Sequence, residues 1–241
     1  MAKKSKAIAT TVPASLMKSI QKDVGKGMEQ ADKDSFAIPF IITLQSQSPQ
    51  LDDVAGAKAG QLINSVTNEL FTTLNVVPVY FERVFLRWVD RDAGGGFRGS
   101  MTPLEVEEAL AAGTVQRGEG LDIRYSSDER LSDTRQHYLL VQQGDKAWTP
   151  AIIGCASTQI KKSKQWMTQI NNFKIGDVHP PSWVRMYTIE TVKESNAKGS
   201  WYGIKITPGD FVDENLYKMA LNFYDQIRAG KVKVQHEDLE S

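Results

Sequence analysis

The sequence contains a single cysteine, Cys155, and three histidines. One cysteine excludes an intrachain disulfide and a zinc site made of several cysteines, which fits a reducing compartment. No apolar run reaches the roughly 18 residues that a membrane-spanning helix needs, and no apolar signal segment follows the basic residues 1–6. We therefore expect a soluble protein without a membrane partner.

An excess of either charge is also missing. Lys and Arg together number 29, as do Asp and Glu, so the formal net charge of the 241 residues is zero. No overall field attracts nucleic acid or an acidic membrane, so any such ligand must be held by a local patch. At roughly 150 residues per domain, the length predicts one large domain or one core with appendages.

Known catalytic motifs are absent: there is no phosphate-binding loop, dinucleotide glycine motif, zinc-protease motif or serine-hydrolase motif. We interpret His137, His179 and His236 as structural or solvated, because none has an identifiable partner that would make it a base. Cys155 lies in an apolar stretch and is predicted to be a buried, inert thiol. We expect no enzyme, no cofactor and no metal site. An enzyme would need carboxylates that folding brings together from distant positions.

Charge divides the chain into blocks. Residues 1–26 hold six lysines against one aspartate, residues 104–133 hold eight acids against three arginines, and residues 161–205 hold eight basic residues against three acids. The predicted parts are a flexible basic arm (1–35), a core domain with an acidic insert at 104–133 (36–210), and a C-terminal helix with an acidic tail (211–241).

Hydrophobic patterning predicts several strands, a helix and two further strands in the core. Pro78 lies inside the longest apolar run and indicates either an edge strand or a bend. The predicted elements are a short hairpin (62–64 and 70–71), a long strand (74–89), a helix (103–112) followed by loop, a second hairpin (137–142 and 147–153), a helix (158–173) capped by Thr158, two strands (183–192 and 200–207) and a helix (213–229).

This order predicts a fold that is mainly β with α: an OB-fold-like five-stranded barrel with inserted and C-terminal helices. In an OB-fold the helix lies between the third and fourth strands, where residues 158–173 fall. An α+β sandwich with the same order of elements is the alternative.

Aromatic and basic residues alternate on three predicted strands. Because successive side chains of a strand point to opposite faces, Phe81 and Phe85 share one face, while Trp88 lies on the opposite face, which we assign to the core. Bases can stack on such rings while Lys and Arg neutralise phosphates. The predicted nucleic-acid-binding residues are Phe81, Arg83, Phe85, Arg87, Lys161, Lys162, Lys164, Trp183, Arg185, Tyr187, Trp201 and Lys205. The alternative is that these rings form the core.

The sequence ends in an acidic segment that contains Glu237, Asp238, Leu239 and Glu240. Such a segment can compete with DNA for a basic groove and can offer a docking peptide to other replication or recombination proteins. The alternative is a disordered terminus.

The first half resembles a family of tailed-phage open reading frames, many of which have no assigned role. The resemblance lies in residues 37–41 with 45–49, residues 60–70, and residues 85–97 with the glycines Gly94 to Gly96. The second half resembles phage single-stranded DNA-binding proteins of the OB-fold type in residues 183–192 and 201–206, the following helix and the acidic segment.

Together these features predict a non-catalytic phage protein in the cytoplasm of the infected bacterial host. It would coat single-stranded DNA without sequence preference during replication, recombination or repair, and self-association is left open. The alternative function is a structural or protein-interaction protein of the phage.

Overall fold

The computed structural model describes residues 13–24, 26, 27, 29, 37–118, 123–197, 199–234 and 236. The chain divides into two units, Met1–Phe36 and Ala37–Ser241. The first unit contains helix α1 (Ala14–Lys22), on which Leu16, Met17 and Ile20 are exposed.

The second unit is a mixed fold that is mainly β, as the sequence predicts. Its helices are α2 (Gln50–Asp53), α3 (Pro103–Ala111), α4 (Ile160–Asn172) and α5 (Glu214–Arg228). Its strands are β1 (Ile41–Thr43), β2 (Leu62–Asn64), β3 (Leu70–Phe71), β4 (Thr73–Val89), β5 (Phe97–Met101), β6 (Gln116–Arg117), β7 (Ile123–Ser126), β8 (Glu129–Gln142), β9 (Thr149–Ala156), β10 (Arg185–Asn196) and β11 (Gly199–Phe211).

The long strands β4 and β8 pair along their length and form the centre of an eight-stranded antiparallel sheet. At one end of this pair the strand order is β11-β10-β4-β8-β9, and at the other end β5 joins β4 while β7 and β6 follow β8. A separate three-stranded sheet has the order β1-β2-β3.

The expected closed barrel is not found in the described part of the chain. Instead, residues 40–45 lie beside both outer strands of the five-stranded end. Phe40 forms a parallel bridge with Ile152 of β9, and the Gln45 side-chain amide bonds both the N–H and the C=O of Tyr202 in β11. This segment satisfies the backbone groups of Tyr202 in β11, and within the described residues the two outer strands do not pair with each other.

Pro78 lies inside β4 at a point where β4 pairs with β8 alone, because its pairing with β10 ends at Val76 and that with β5 begins at Phe85. The predicted edge position is therefore confirmed locally. The register with β8 shifts between Pro78 and Tyr80, which is a β-bulge. Before the bulge Leu74 and Val76 share a cluster with Trp166 of α4, and Val77 packs with α5 on the other face. After it Tyr80 packs in the α5 cluster, and Phe81 contacts His137, whose ring stacks on Trp166. The extra residue therefore reverses the alternation of faces along β4.

Helices cover both faces of the five-stranded end. We call the face that contacts Trp166 of α4 the inner face and the face that contacts Phe223 of α5 the outer face. The small sheet adds Ile41 and Leu62 to the inner cluster. Separate hydrophobic clusters thus lie on the two faces of β4 and β8.

The acidic insert is more ordered than the sequence predicts. Its helix is confirmed as α3, where Thr102 and Glu105 form a capping box. The predicted loop after it is wrong, because β6, β7 and the first half of β8 lie there.

None of the helices in the described ranges is long and apolar enough to cross a membrane.

Candidate nucleic-acid interface

On β4 the four predicted residues follow the expected alternation, but most are engaged by protein. Phe81 lies 5.1 Å from the buried ring of His137, and Phe85 is only 4% exposed in a cluster with Val106 of α3. Arg83 donates to both carboxylate oxygens of Asp133, at 3.0 and 2.7 Å, and Arg87 pairs with Glu129. The insert therefore covers the face on which we expected bases to stack.

Trp183, Arg185 and Tyr187 do not share a face. Trp183 lies in a short 3-10 turn before β10 and packs on Tyr224 of α5, whereas Tyr187 contacts Trp166 of α4 on the inner face. A register shift in the pairing of β10 with β11 lies between Arg185 and Tyr187. The rings of Trp183 and Tyr187 are buried, at 8% and 3% exposure, and like the ring of Phe85 they belong to the core.

The remaining predicted residues meet where α4 lies beside β10 and β11. The Lys162 ammonium and the Trp201 indole N–H both bond the Glu194 carboxylate, at 2.5 and 3.0 Å. The bond from Lys162 and, to a smaller extent, the bond from Trp201 hold the pKa of the Glu194 carboxyl group below its usual range. Lys205 pairs with Glu190, while Lys161 and Lys164 are exposed on α4. We call this set the α4–β11 cluster.

The alternation of side chains along the strands did not predict a second surface. On the outer face beyond α5, the structure has an open cavity of about 460 Å³ that we call the outer groove. Its floor consists of small residues of β8 and β9, and arginines stand at its rim. The lining residues are Leu86, Trp88, Val89, Arg91, Gly94, Gly95, Arg130, Ser132, Thr134, Gly154 and Ala156.

The charge of the outer groove is positive. Arg91 and Arg130 are exposed, and no carboxylate contributes to the lining. Arg130 lies 3.8 Å from Asp90, a carboxylate that also binds Arg124 at 2.5 Å. The signal in the sequence was the closeness of Arg91 to the glycines Gly94 and Gly95. The prediction that Trp88 belongs to the core is confirmed, since it is only 8% exposed.

The C-terminal segment reaches the border of this groove. His236 packs between the rings of Phe40 and Phe97, and one of its ring nitrogens lies 2.6 Å from the side-chain amide of Gln136. Phe97 in turn contacts Trp88, at 5.3 Å between ring centroids. The predicted tail residues Glu237, Asp238, Leu239 and Glu240 lie outside the described residues.

The two groups that most resemble catalytic residues are buried. His137 bonds Ser163 at 2.8 Å, and burial lowers its pKa to about 3. Burial also raises the pKa of the Cys155 thiol to about 12, which keeps it protonated. Within the described ranges, no group of three or more His, Cys, Asp or Glu residues could hold a metal ion.

Comparison with known proteins places almost the whole chain in one family. Residues 3–233 match the model of the family described as Pam3 phage gp34-like protein. No curated protein and no solved structure matched the chain.

Proposed function

The chain belongs to the Pam3 phage gp34-like protein family, and from this premise we propose that it binds single-stranded DNA without sequence preference. The expected phage origin is thereby confirmed, whereas the resemblance to single-stranded DNA-binding proteins stays a prediction. The proposed setting is replication, recombination or repair of phage DNA in the cytoplasm of the infected host.

Strand order supports this proposal. The order β11-β10-β4-β8-β9, with α4 between β9 and β10, is the order of an OB-fold with the closing pair absent. OB-folds bind oligonucleotides on the face of their second and third strands, which correspond to β8 and β9 here. These strands form the floor of the outer groove. We therefore propose an OB-like fold whose binding face is the part that α5 leaves open.

The observation that carries the proposal is the outer groove itself. Its floor of Ser132, Thr134, Gly154 and Ala156 consists of small residues, which leave room for a flat base near Arg91 and Arg130. Arg91 and Arg130 offer guanidinium groups to phosphates and can also stack on bases. Stacking is worth roughly 1–3 kcal/mol per base and does not depend on which base it is. Binding without sequence preference follows.

The proposed DNA path continues toward the α4–β11 cluster. Ala156 ends the groove floor, and three residues later Gln159 accepts a hydrogen bond from Ile204 N–H of β11. Three residues of this cluster, Trp201, Lys161 and Lys162, remain candidates for contact with DNA. Phe85, Trp183 and Tyr187 are dropped from the stacking set because protein covers their rings.

The test is fluorescence anisotropy of labelled oligo-dT, with a duplex of equal length and a salt series. The variant Arg91→Gln/Arg130→Gln removes two phosphate contacts. Each contact contributes about 0.7 to the dependence of log Kd on log salt for single strands, so this slope should fall by about 1.4. The matched control Lys218→Gln/Arg228→Gln removes two cations from the exposed side of α5 and should bind as the wild type does.

A second candidate function is supported by the buried rings. If the wild type binds no oligo-dT at low salt, the arginine-rimmed groove is a surface for another protein of the phage. That result would overturn the proposal of DNA binding. Equal weakening by the groove variant and the α5 control would also overturn it, because attraction would then depend on total charge alone.

A further inference from the structure

Besides the outer groove, the structure has a cavity of about 290 Å³ between α3 of the acidic insert and the strands β4 and β8. We call it the insert cavity. Pockets for small molecules begin near roughly 300 Å³, so its volume suits one small flat molecule rather than a longer chain. Its apolar lining includes the partly exposed Pro103, Leu110 and Ile160 as well as the buried ring of Phe85.

Two guanidinium groups of this cavity have donors to spare. Within the described residues, the exposed side chain of Arg117 in β6 makes no ion pair or hydrogen bond, and Arg130 of β8 has only its approach to Asp90 at 3.8 Å. The hydroxyl group of Ser157, also in the lining, has no partner among these residues either. A guanidinium fork matches the oxygens of a phosphate group, and a phosphate can accept from more than one fork.

The acids of the lining are offset by other cations. Asp133 is the shared acceptor of Arg83 and Arg135. The bond to Asp133 and, to a smaller extent, the charge of Glu107 raise the pKa of Arg83, so Glu107 also lies within the influence of this cation. The two guanidinium groups without hydrogen bonds therefore leave the cavity positively charged.

Arg83 also presents a flat surface that is fixed in place. Its guanidinium group is held by two bonds to Asp133 and lies over the ring of Phe85, 4.9 Å from the ring centroid, yet its side chain is 38% exposed. Guanidinium planes stack on nucleobases, and a plane that is held in advance loses little freedom when it does so. The insert cavity thus combines a surface for a base with donors for a phosphate.

The backbone of Ser157 is unusual. Its φ of +50° lies in the left-handed region, which costs free energy for a residue with a Cβ atom. The other non-glycine residue with such a φ in the described part of the chain is Asn68, a residue type that tolerates it. Strained residues are concentrated at binding sites. Here the strain lies at the rim of the insert cavity, between β9 and α4.

The insert cavity and the outer groove meet at β8. Strand β9 pairs with β8 only from Thr134 onward and β7 only as far as Arg130, so residues 131–133 have no neighbour on this side within the described ranges. Arg130 and Ser132 line both cavities. A DNA strand in the outer groove can therefore place one nucleotide in the insert cavity without separating paired strands of the sheet.

We propose that the insert cavity binds a single nucleotide, whose base stacks on the guanidinium group of Arg83. Its phosphate is bound by Arg117, Arg130 and the hydroxyl group of Ser157. The nucleotide that we assign to the cavity is one unit of bound single-stranded DNA, and this assignment rests on the proposed function. Free thymidine monophosphate shares the chemistry and serves as the probe.

The experiment follows the backbone amide resonance of Ser157 in the full-length ¹⁵N-labelled protein during titration with thymidine monophosphate. Thymidine and inorganic phosphate are titrated separately, because the proposed site contacts both parts of the nucleotide. We expect the nucleotide to shift this resonance with a Kd at least about fivefold lower than that of either part. Arg117→Gln should raise this Kd at least about threefold, because a charge-assisted bond is lost. The control Arg228→Gln removes an exposed arginine of α5 and should leave it unchanged.

A Ser157 resonance that does not respond to thymidine monophosphate would overturn the proposal. Equal values of Kd for the nucleotide and for inorganic phosphate would overturn it too, since no base would then be bound. The same holds if Arg117→Gln and Arg228→Gln weaken binding equally, because attraction would then depend on total charge.

Oligo-dT is added to the same samples to distinguish the two sources of the nucleotide, and anisotropy measures its binding independently. A Ser157 resonance that shifts with oligo-dT supports the assignment to DNA. If oligo-dT binds and leaves Ser157 unchanged, this assignment fails and the proposed function stands. If thymidine monophosphate shifts Ser157 but oligo-dT does not bind, the proposed function fails and the nucleotide site stands.

Discussion

The ring of His236 lies 5.1 Å from the ring of Phe97, and this contact holds the C-terminal segment against the strand that borders the outer groove. Residues 237–241 follow directly and contain three carboxylates. A fully extended chain covers about 3.5 Å per residue, so five residues span at most roughly 17 Å. The acidic segment is thus attached beside the surface that we propose for DNA.

Deletion of residues 237–241 should therefore strengthen binding of oligo-dT. Ion pairs in water are worth about 1 kcal/mol at contact, so a gain of roughly threefold to tenfold is expected at low salt. Anisotropy measures it. The variant Glu237→Gln/Asp238→Asn/Glu240→Gln keeps the length and should give a similar gain. A deletion that strengthens binding while this neutral variant does not would refute competition by charge.

Trp201→Ala should weaken binding of oligo-dT, oligo-dA and oligo-dC to a similar extent. The loss of one stacked base corresponds to about 1–3 kcal/mol. Affinities for the three oligomers are compared by anisotropy with those of Trp148→Ala, a half-buried tryptophan in the turn between β8 and β9. A loss confined to one base would argue against a stacking role for Trp201.

His137 makes the free energy of unfolding depend on pH. Its pKa is about 3 in the folded protein and about 6.5 in an unfolded chain, so between these values only the unfolded state binds the proton. Stability is therefore lost as pH falls from 6.5 toward 3, by about 1.4 kcal/mol per pH unit from this group. His137→Gln does not titrate. Urea unfolding of both proteins at pH 7, 6 and 5 should show that the wild type loses stability faster, and parallel losses would contradict this.

Asp133 is the shared acceptor of two guanidinium groups. Burial alone would raise the pKa of its carboxyl group, but the bonds from Arg83 and Arg135 outweigh burial and the pKa is lowered. Asp133→Asn leaves two cations close together, and we expect it to reduce the free energy of unfolding by about 1–2 kcal/mol. Glu214→Gln removes the acid of an exposed pair and should cost about 0.5 kcal/mol or less. Chemical denaturation compares the two, and equal costs would argue against the shared-acceptor role.

Gly60 is required by a close approach as well as by its backbone. It has φ +90°, and a Cβ atom there would lie 2.5 Å from a ring carbon of Tyr202. Gly56 has a similar φ of +84° and open space around it. Gly60→Ala should therefore destabilise the protein by about 1 kcal/mol more than Gly56→Ala. Thermal unfolding tests this, and the difference should shrink when both variants also carry Tyr202→Ala.

Secondary structure was largely predictable because its signals are local. The hairpin of β2 and β3 was predicted to the residue, and α3 and α5 within one or two residues at each end. The cap of α4 was not: Thr158 lies in a 3-10 turn, and α4 begins at Ile160 without a side-chain cap.

The candidate site was less predictable because alternation along a strand identifies two faces but not which one is covered. On β4 the ring of Phe85 was expected to be free and that of Trp88 to be buried. In the structure α3 covers Phe85, so that expectation is wrong, whereas Trp88 is buried as expected, at 8% exposure, and lies at the wall of the outer groove. The residues of the α4–β11 cluster were each predicted as candidates, but their proximity was not. They are brought together by ion pairs with Glu190 and Glu194, which lie on the neighbouring strand β10.

The sequence by itself determined the phage family, the order of the strands and helices of the five-stranded end and the mainly β character, because these depend on motifs, periodicity and turns that act over a few residues. Only the tertiary structure decided which aromatic rings meet solvent and where cations meet cavities. The reason is physical: the insert, α5 and the C-terminal segment pack from far along the chain, and the bulge at Pro78 reverses the faces of β4. Such long-range coverage leaves no local pattern in the sequence.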